Sequence, residues 1–297
     1  MEQEVLDNYI KAGKIAAQVR DFGCSLVKKD VLAVEIAEKI DKKIEELNGR
    51  PAFPVNISIN DMAAHWHPQL NDKIMINEND YVKIDVGVHI DGYIGDTAKT
   101  ARVAGKDDLI ICSEKMLEKA LSMFKPGTTI GDIGEAVENV CREFNFNPIR
   151  NLTGHSIDRY DIHAGRIIPN IKNDSKYQLR EGEVYGVEPF CTTGNGFVKD
   201  SGKPLIFRWI MDRPTRLIEA RKILEMARTN FERLPFAKRW IQKKFSSLKV
   251  ELALKELTNS NALYGYDPLR EVSGKPVAQT EHTVIVKEKP IITTCLQ

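Results

Sequence analysis

The stretch from Val82 to Ala98 limits the possible folds more than any other. Val82, Ile84, Val86 and Val88 alternate with Lys83, Asp85, Gly87 and His89, the period-2 pattern of a strand with one apolar face. Asp91-Gly92 follows, a pair suited to a type I′ turn because both central positions need positive φ. With that pair as the turn, Ile90 faces Tyr93, Gly87 faces Asp96 and Asp85 faces Ala98. Asp85 and Asp96 then share one sheet face as diagonal neighbours. Two bare carboxylates about 5 Å apart repel by roughly 3 kcal/mol at an effective dielectric near 20. The hairpin therefore binds cations between them, or it is a solvated face carrying two unrelated acids.

The 297 residues suffice for one large domain or two smaller ones, and the formal charge of +1 does not mark the chain as a whole for nucleic acid or membrane surfaces. Its five cysteines (Cys24, Cys112, Cys141, Cys191, Cys295) are odd in number and never in a C-x-x-C, which predicts reduced thiols and a cytoplasmic protein. The N-terminus lacks a basic stretch leading into an apolar one, so no signal peptide is expected. No apolar run is long enough to span a membrane.

Helical spacing predicts a helix over 3–20, broken at Gly23, and a second one capped by Asp30 and ended by Gly49. Val55, Ile57 and Ile59 mark a short strand, and the loop Asp61–Pro68 leads to the hairpin. A helix over 108–124 follows, then one opened by Thr129-x-x-Asp132, then strands around Val184–Glu188. Helix, loop, helix, hairpin thus occurs twice, in roughly 1–100 and 107–200. This predicts an α+β, pseudo-symmetric sheet with helices on one side. Residues 212–249 hold eleven Lys and Arg against four Asp and Glu, net +7, which leaves the remainder at −6. They read as a helical insertion, after which strands resume at Leu269–Val272 and Val277–Val286.

Three further stretches bear chemistry. Gly154-His155-Ser156 and Ile162-His163-Ala164-Gly165 place two histidines among glycines. Glu188 stands in an otherwise apolar strand and Glu281-His282-Thr283 opens into the apolar run Val284–Val286; a glutamate embedded in a β-run needs a partner if it is buried. Four carboxylates and one imidazole suit two hard-to-borderline divalent ions rather than a structural zinc. Such a pair can activate water and polarise a carbonyl.

Lys83–Gly92, Gly154–Ile157, Ile162–Gly165, Glu188-Pro189-Phe190 and Gln279–Thr283 resemble, in order, the motifs of type-2 methionine aminopeptidases. The resemblance runs from about residue 1 to residue 286 and includes the helical insertion. The short N-terminus is similar to that of archaeal members. It implies the pita-bread fold, with catalytic residues 1–203 and 263–297 and an insertion over 204–262. It implies Asp85 as chelator of a first metal, Asp96 and Glu281 as bridges, and His155 and Glu188 completing a second. Glu188 would also shuttle protons, His163 would hydrogen-bond the scissile amide, and His65 would contact the substrate near its amine and the tetrahedral intermediate. Phe53, Ile162 and Tyr266 would line a methionine pocket. The two ions would be cobalt, manganese, iron or zinc. The implied substrates are nascent chains and peptides beginning with Met, with a small second residue, and a monomer is expected. The basic charge of 212–249, by contrast, is read from composition: it is a contact for ribosomal phosphate or a solvated helical face.

Three departures from the family pattern stand out: Trp66-His67-Pro68 after His65, Gly95 before Asp96, and Thr280 before Glu281. Two other readings are an X-Pro aminopeptidase or prolidase-like peptidase, and a non-catalytic relative adapted to nucleic acid or ribosomes.

Overall fold

The computed structural model describes residues 1–296. The hairpin forms with the register its sequence predicts: Val82–Ile90 pairs with Tyr93–Ala101, and Ile90↔Tyr93, Gly87↔Asp96 and Asp85↔Ala98 are partners. Asp91 and Gly92 both have positive φ, 49° and 87°, as the type I′ turn requires. Asn56–Ile59 and Arg50–Pro51 pair with the outer edge of Val82–Ile90. The apolar face packs Val82, Ile84, Val86 and Val88 against the helices Gln3–Ser25 and Ala33–Glu46. The opposite face is not solvated: Lys83, Asp85, Gly87 and His89 are buried as well.

Two helix boundaries differ from the sequence expectation. The first helix continues through Gly23 to Ser25, because a Cβ at Gly23 would lie 2.6 Å from Ile40 of the second helix. That glycine permits a close helix crossing instead of breaking the helix. Asp30 does not cap the second helix; it sits in a left-handed turn at φ 66°, and Leu32 precedes the first helical residue. Thr129, by contrast, accepts a hydrogen bond from the Asp132 amide at 3.1 Å, as its spacing predicts.

The second half repeats the plan. Helices Asp108–Ser122 and Ile130–Glu143 cover a five-stranded sheet ordered Ile291–Ile292, His282–Ile285, Val184–Val187, Thr153–Ser156, Ile167–Pro169. Tyr185, Val187, Val284 and Ile168 fill the core between them. The expected strand over Val277–Val286 is two strands, Val277–Gln279 and His282–Ile285. At the break Thr280 bridges Lys99, and the Glu281 amide donates to the Ala98 carbonyl at 2.9 Å. The two halves are therefore stitched together where Glu281 stands.

Residues 206–266 carry a small core of their own. Ile206–Trp209 pairs with Phe236–Ala237 and Leu263–Tyr266, and the helices Ile218–Met226, Lys238–Gln242 and Ser247–Asn259 bury Ile223, Ile241 and Leu257 in one cluster with Phe236. Among the described residues no helix is long and apolar enough to cross a membrane.

Candidate metal centre

The two halves meet at a cavity of about 280 Å³. Asp85, Asp96, His155, Glu188 and Glu281 all line it, together with Phe53, His65, Ile162, His163 and Tyr266. Every site residue that the sequence singled out is brought to this one place. Within it, ligand atoms of Asp96, His155 and Glu281 lie within 4.8 Å of one another. His155 Nε2 is 3.6 Å from Asp96 Oδ2 and 3.4 Å from Glu188 Oε1. Asp85 reaches the same cavity from the strand paired with that of Asp96, outside the tightest cluster.

Strand register supplies this convergence. His155 is the cross-strand partner of Gly186, and Gly186 also partners Thr283, so the residue between them must be small. A Cβ at Gly186 would lie 2.9 Å from Glu281 Oε1 and 3.1 Å from His155 Cε1. Gly87, opposite Asp96, clears space for another purpose. The Phe53 ring fills it, 2.2 Å from where a Cβ would stand, so this glycine admits a wall of the cavity and not an open volume beside the carboxylates.

Polar contacts beyond the ligands hold the geometry. Gln279 Nε2 donates to Glu188 Oε2 at 3.1 Å. Asn56 is the cross-strand partner of Asp85 and lines the same cavity. Thr283 Oγ1 accepts from the Asp96 amide at 2.7 Å and donates to the Asp96 carbonyl at 2.8 Å. Thr97 Oγ1 donates to the Glu281 carbonyl at 2.7 Å and accepts from Arg20 at 2.7 Å. Sequence reading passed over these roles. The available signal was polar residues placed inside β-runs, at Asn56, Thr97, Gln279 and Thr283.

Electrostatically the cavity lining sets four carboxylates against a single guanidinium, that of Arg166. Burial pushes the Asp85 carboxyl up to about 7, with hydrogen bonds from Gln279 and Asn56 acting against the rise. Burial, then the charge of Asp85, holds Asp96 well above the carboxylate range; burial and the neighbouring acids do the same to Glu188 and Glu281. Burial lowers His155 to about 4, which leaves a neutral imidazole able to ligate. Asp85 Oδ1, Asp96 Oδ1 and Glu281 Oε1 are buried without a hydrogen-bond partner. Unpartnered buried carboxylate oxygens are costly unless a cation or proton meets them. An oxygen-rich donor set with one imidazole nitrogen fits divalent metal ions.

Histidine, aromatic and apolar side chains complete the cavity lining. His65 stands at φ 59°, its Nδ1 3.2 Å from the Asp267 carbonyl and its ring edge-on to Tyr266 at 5.4 Å. His163, exposed at the mouth, packs edge-on against His155 at 4.5 Å and lies 6.1 Å from Tyr266. Two of the three departures have local causes. Gly95 abuts Gly13 of the first helix, where a Cβ would come within 2.5 Å of backbone. The Thr280 hydroxyl shares a 2.7 Å hydrogen bond with Ser113 of the 108–122 helix.

Comparison with known proteins agrees with this geometry. The model of metallopeptidase family M24 matches residues 7–288. The methionine aminopeptidase of Pyrococcus abyssi is 46% identical over 291 residues, covering 97% of this chain and 99% of that one. Among solved structures, a thermophilic Arx1 has a TM-score of 0.88 at 19% identity, over 99% of this chain and 91% of that chain. The methionine aminopeptidase of Rickettsia prowazekii has a TM-score of 0.72 at 24% identity, over 99% and 98%. At those identities both structures speak to the fold alone. The chain has the pita-bread fold and belongs to metallopeptidase family M24, within it to the methionine aminopeptidases.

Proposed function

We propose that this protein removes the N-terminal methionine from nascent chains and peptides, using two divalent metal ions. The observation that carries the reading is one cavity of about 280 Å³ lined by four carboxylates and an imidazole together with Phe53, Ile162, Tyr266, His65 and His163. Asp85 would hold one ion, His155 and Glu188 the other, and Asp96 and Glu281 would serve both. Ions bound there would acidify a water and polarise the scissile carbonyl.

The chain's own residues supply the rest. Glu188, held by Gln279 on one oxygen and facing His155 with the other, retains a proton readily because burial and the Asp96 and Asp85 charges disfavour its anion. It takes a proton from the attacking water and delivers it to the departing amine. His163, at the mouth, donates to the scissile amide, and a bulky second residue would crowd it. His65 has Nδ1 directed to the Asp267 carbonyl, which leaves Nε2 for the substrate's amino end. Phe53, Ile162 and Tyr266 enclose an unbranched thioether, whose sulfur packs well against aromatic edges.

The test is methionine release from Met-Ala-Ser and Met-Lys-Ser after chelation and restoration of cobalt, manganese, iron or zinc. Metal-dependent cleavage of the first, and little of the second, is expected. Absence of metal-dependent cleavage of Met-Ala-Ser overturns the assignment, and equal turnover of Ala-Pro peptides would move it to X-Pro substrates. Metal content of protein purified without supplement gives the identity and number of ions.

Residues 204–262 are assigned to the insertion, in a monomeric cytoplasmic enzyme that contacts ribosomes through the basic 212–249 segment. Exposed Arg213, Arg216, Arg221 and Lys222 support that contact by sequence-independent attraction to phosphate. Arg239 does not belong to such a surface, being fully buried, and Lys238 is turned toward Glu251. Neutralising the four exposed residues should abolish salt-sensitive co-sedimentation with ribosomes; unchanged co-sedimentation removes this part of the reading.

A further inference from the structure

A fully buried guanidinium must satisfy its donors inside the protein, and the partners of Arg239 are informative. It sits on the short helix Lys238–Gln242 of the insertion. Its Nη2 donates to Asp41 Oδ2 at 2.6 Å and its Nη1 to Glu38 Oε1 at 3.3 Å, both on the second helix. Trp240 Nε1 donates to the same Asp41 oxygen at 3.0 Å. These contacts would suffice to anchor the insertion. The third donor nitrogen, Nε, instead reaches 3.0 Å to His67 Nε2.

That contact fixes the state of His67. Since Arg239 can only donate, His67 Nε2 carries a lone pair, and the proton must be on Nδ1, which donates to the Val55 carbonyl at 2.7 Å. A neutral imidazole with one tautomer therefore links the insertion to the backbone between Phe53 and Asn56. His67 lies two residues beyond His65, whose left-handed backbone is uncommon for a residue with a side chain and persists only when its surroundings fix it. Between them, the Trp66 carbonyl accepts from the Ile57 amide at 2.9 Å. The loop is thus tied on its far side by Arg239 and on its near side by Asp267.

We propose that Arg239 is a positioning residue for His65: through His67 it holds the 64–68 loop in the turn that aims His65 into the cavity. The helical insertion thereby controls substrate engagement without touching substrate. This rests on the reading that His65 meets the substrate, and it gives a role to His67, a departure from the family pattern at this loop.

The experiment compares kcat/KM on Met-Ala-Ser for His67→Leu, His67→Gln, Arg239→Met and His65→Ala, with the His67→Leu/His65→Ala double variant and metal content of each. His67→Leu leaves Arg239 its two carboxylates, so it reports on the link even where Arg239→Met fails to fold. The expected result is a loss of roughly 10²-fold for His67→Leu with unchanged metal content. Largely restored activity is expected in His67→Gln, whose amide can both accept from Arg239 and donate to Val55. No further loss is expected when His67→Leu is added to His65→Ala. Full activity in His67→Leu, or an equal loss in the His65→Ala background, overturns the proposal while leaving the role of His65 intact. Full activity in His65→Ala overturns that role itself, and the proposal with it.

Discussion

The two halves of the molecule supply the metal centre by different means. In the first, Asp85 and Asp96 stand within an unbroken nine-residue ladder, so the backbone register alone sets which face each carboxylate takes. In the second, His155 sits one residue from the end of a four-residue strand, Glu188 just beyond another, and Glu281 in the break between two more. There the ladder does not run through the ligands: the Gln279 side chain holds the Glu188 carboxylate, and the Thr97 hydroxyl holds the backbone at Glu281. Ligands fixed by register should tolerate changes around them, whereas those fixed by side chains should not.

The largest effect is expected where the halves join. Asp96 and Glu281 lie in the tight cluster with His155, one from each half. Asp96→Asn and Glu281→Gln should each bring activity on Met-Ala-Ser down to that of chelated protein, with metal content reduced and circular dichroism unchanged. A fully active Asp96→Asn enzyme would remove the hairpin from the catalytic site and end the comparison.

This difference also explains how far the sequence could be read. Strict alternation and Asp91-Gly92 disclosed the first hairpin to the residue, because a period-2 pattern and a two-residue turn leave one register. The second half offers no such pattern. Val277–Val286 reads as one strand, and its break at Thr280-Glu281 arises from pairing with Ala98 and Lys99, nearly two hundred positions away. Gly23 is ambiguous for a similar reason: a close approach by Ile40 is a tertiary fact, and glycine alone does not tell a helix end from a helix crossing. His155, Glu188 and Glu281 were found from their chemistry and from family resemblance, not from local pattern.

A pair of glycines sharpens the contrast at the next level of effect. Gly186→Ala places a methyl 2.9 Å from Glu281 Oε1 and 3.1 Å from His155, so ligands must move. Metal affinity should drop by about 10–100-fold, in the range for disturbing the shell around a metal ligand. Gly87→Ala meets the Phe53 ring instead. It should cost about 1–3 kcal/mol of stability through overpacking and raise KM for Met-Ala-Ser, with metal content unchanged. The two variants are separated by metal analysis beside thermal melts. A metal loss confined to Gly87→Ala would reverse the assignment of the two halves.

Gln279→Leu tests the side-chain support directly. It removes the donor to Glu188 Oε2 while adding no bulk to the strand. About a tenfold fall in kcat is expected, with KM little changed, because Glu188 loses orientation without losing its place in the cavity. An unaltered kcat would show that Glu188 is fixed by its backbone, as the first-half ligands are.

The smallest effect is a pH-dependent one, and its sign follows from the buried carboxyls. Asp85 is raised to about 7, and Asp96, Glu188 and Glu281 are held well above their usual range. The metal-free folded protein therefore keeps protons that the unfolded chain releases near pH 4, and these groups remove stability as pH rises toward and beyond 7. Histidines lowered by burial, such as His155 at about 4 and His67 at about 3, add stability as pH rises to 6.5 and nothing above it. Lys83, lowered to about 7, adds stability above neutrality, equally with and without metal. The difference in melting temperature between metal-supplemented and chelated protein isolates the site, since cations bind the deprotonated carboxylates and release their protons. That difference should widen from pH 6.5 to 8. In Asp85→Asn, which lacks the carboxyl titrating nearest neutrality, the widening near pH 7 should flatten. A difference that stays constant across this range would mean that the carboxylates are already ionised without metal. The charge deficit of the cavity would then be met by the protein itself.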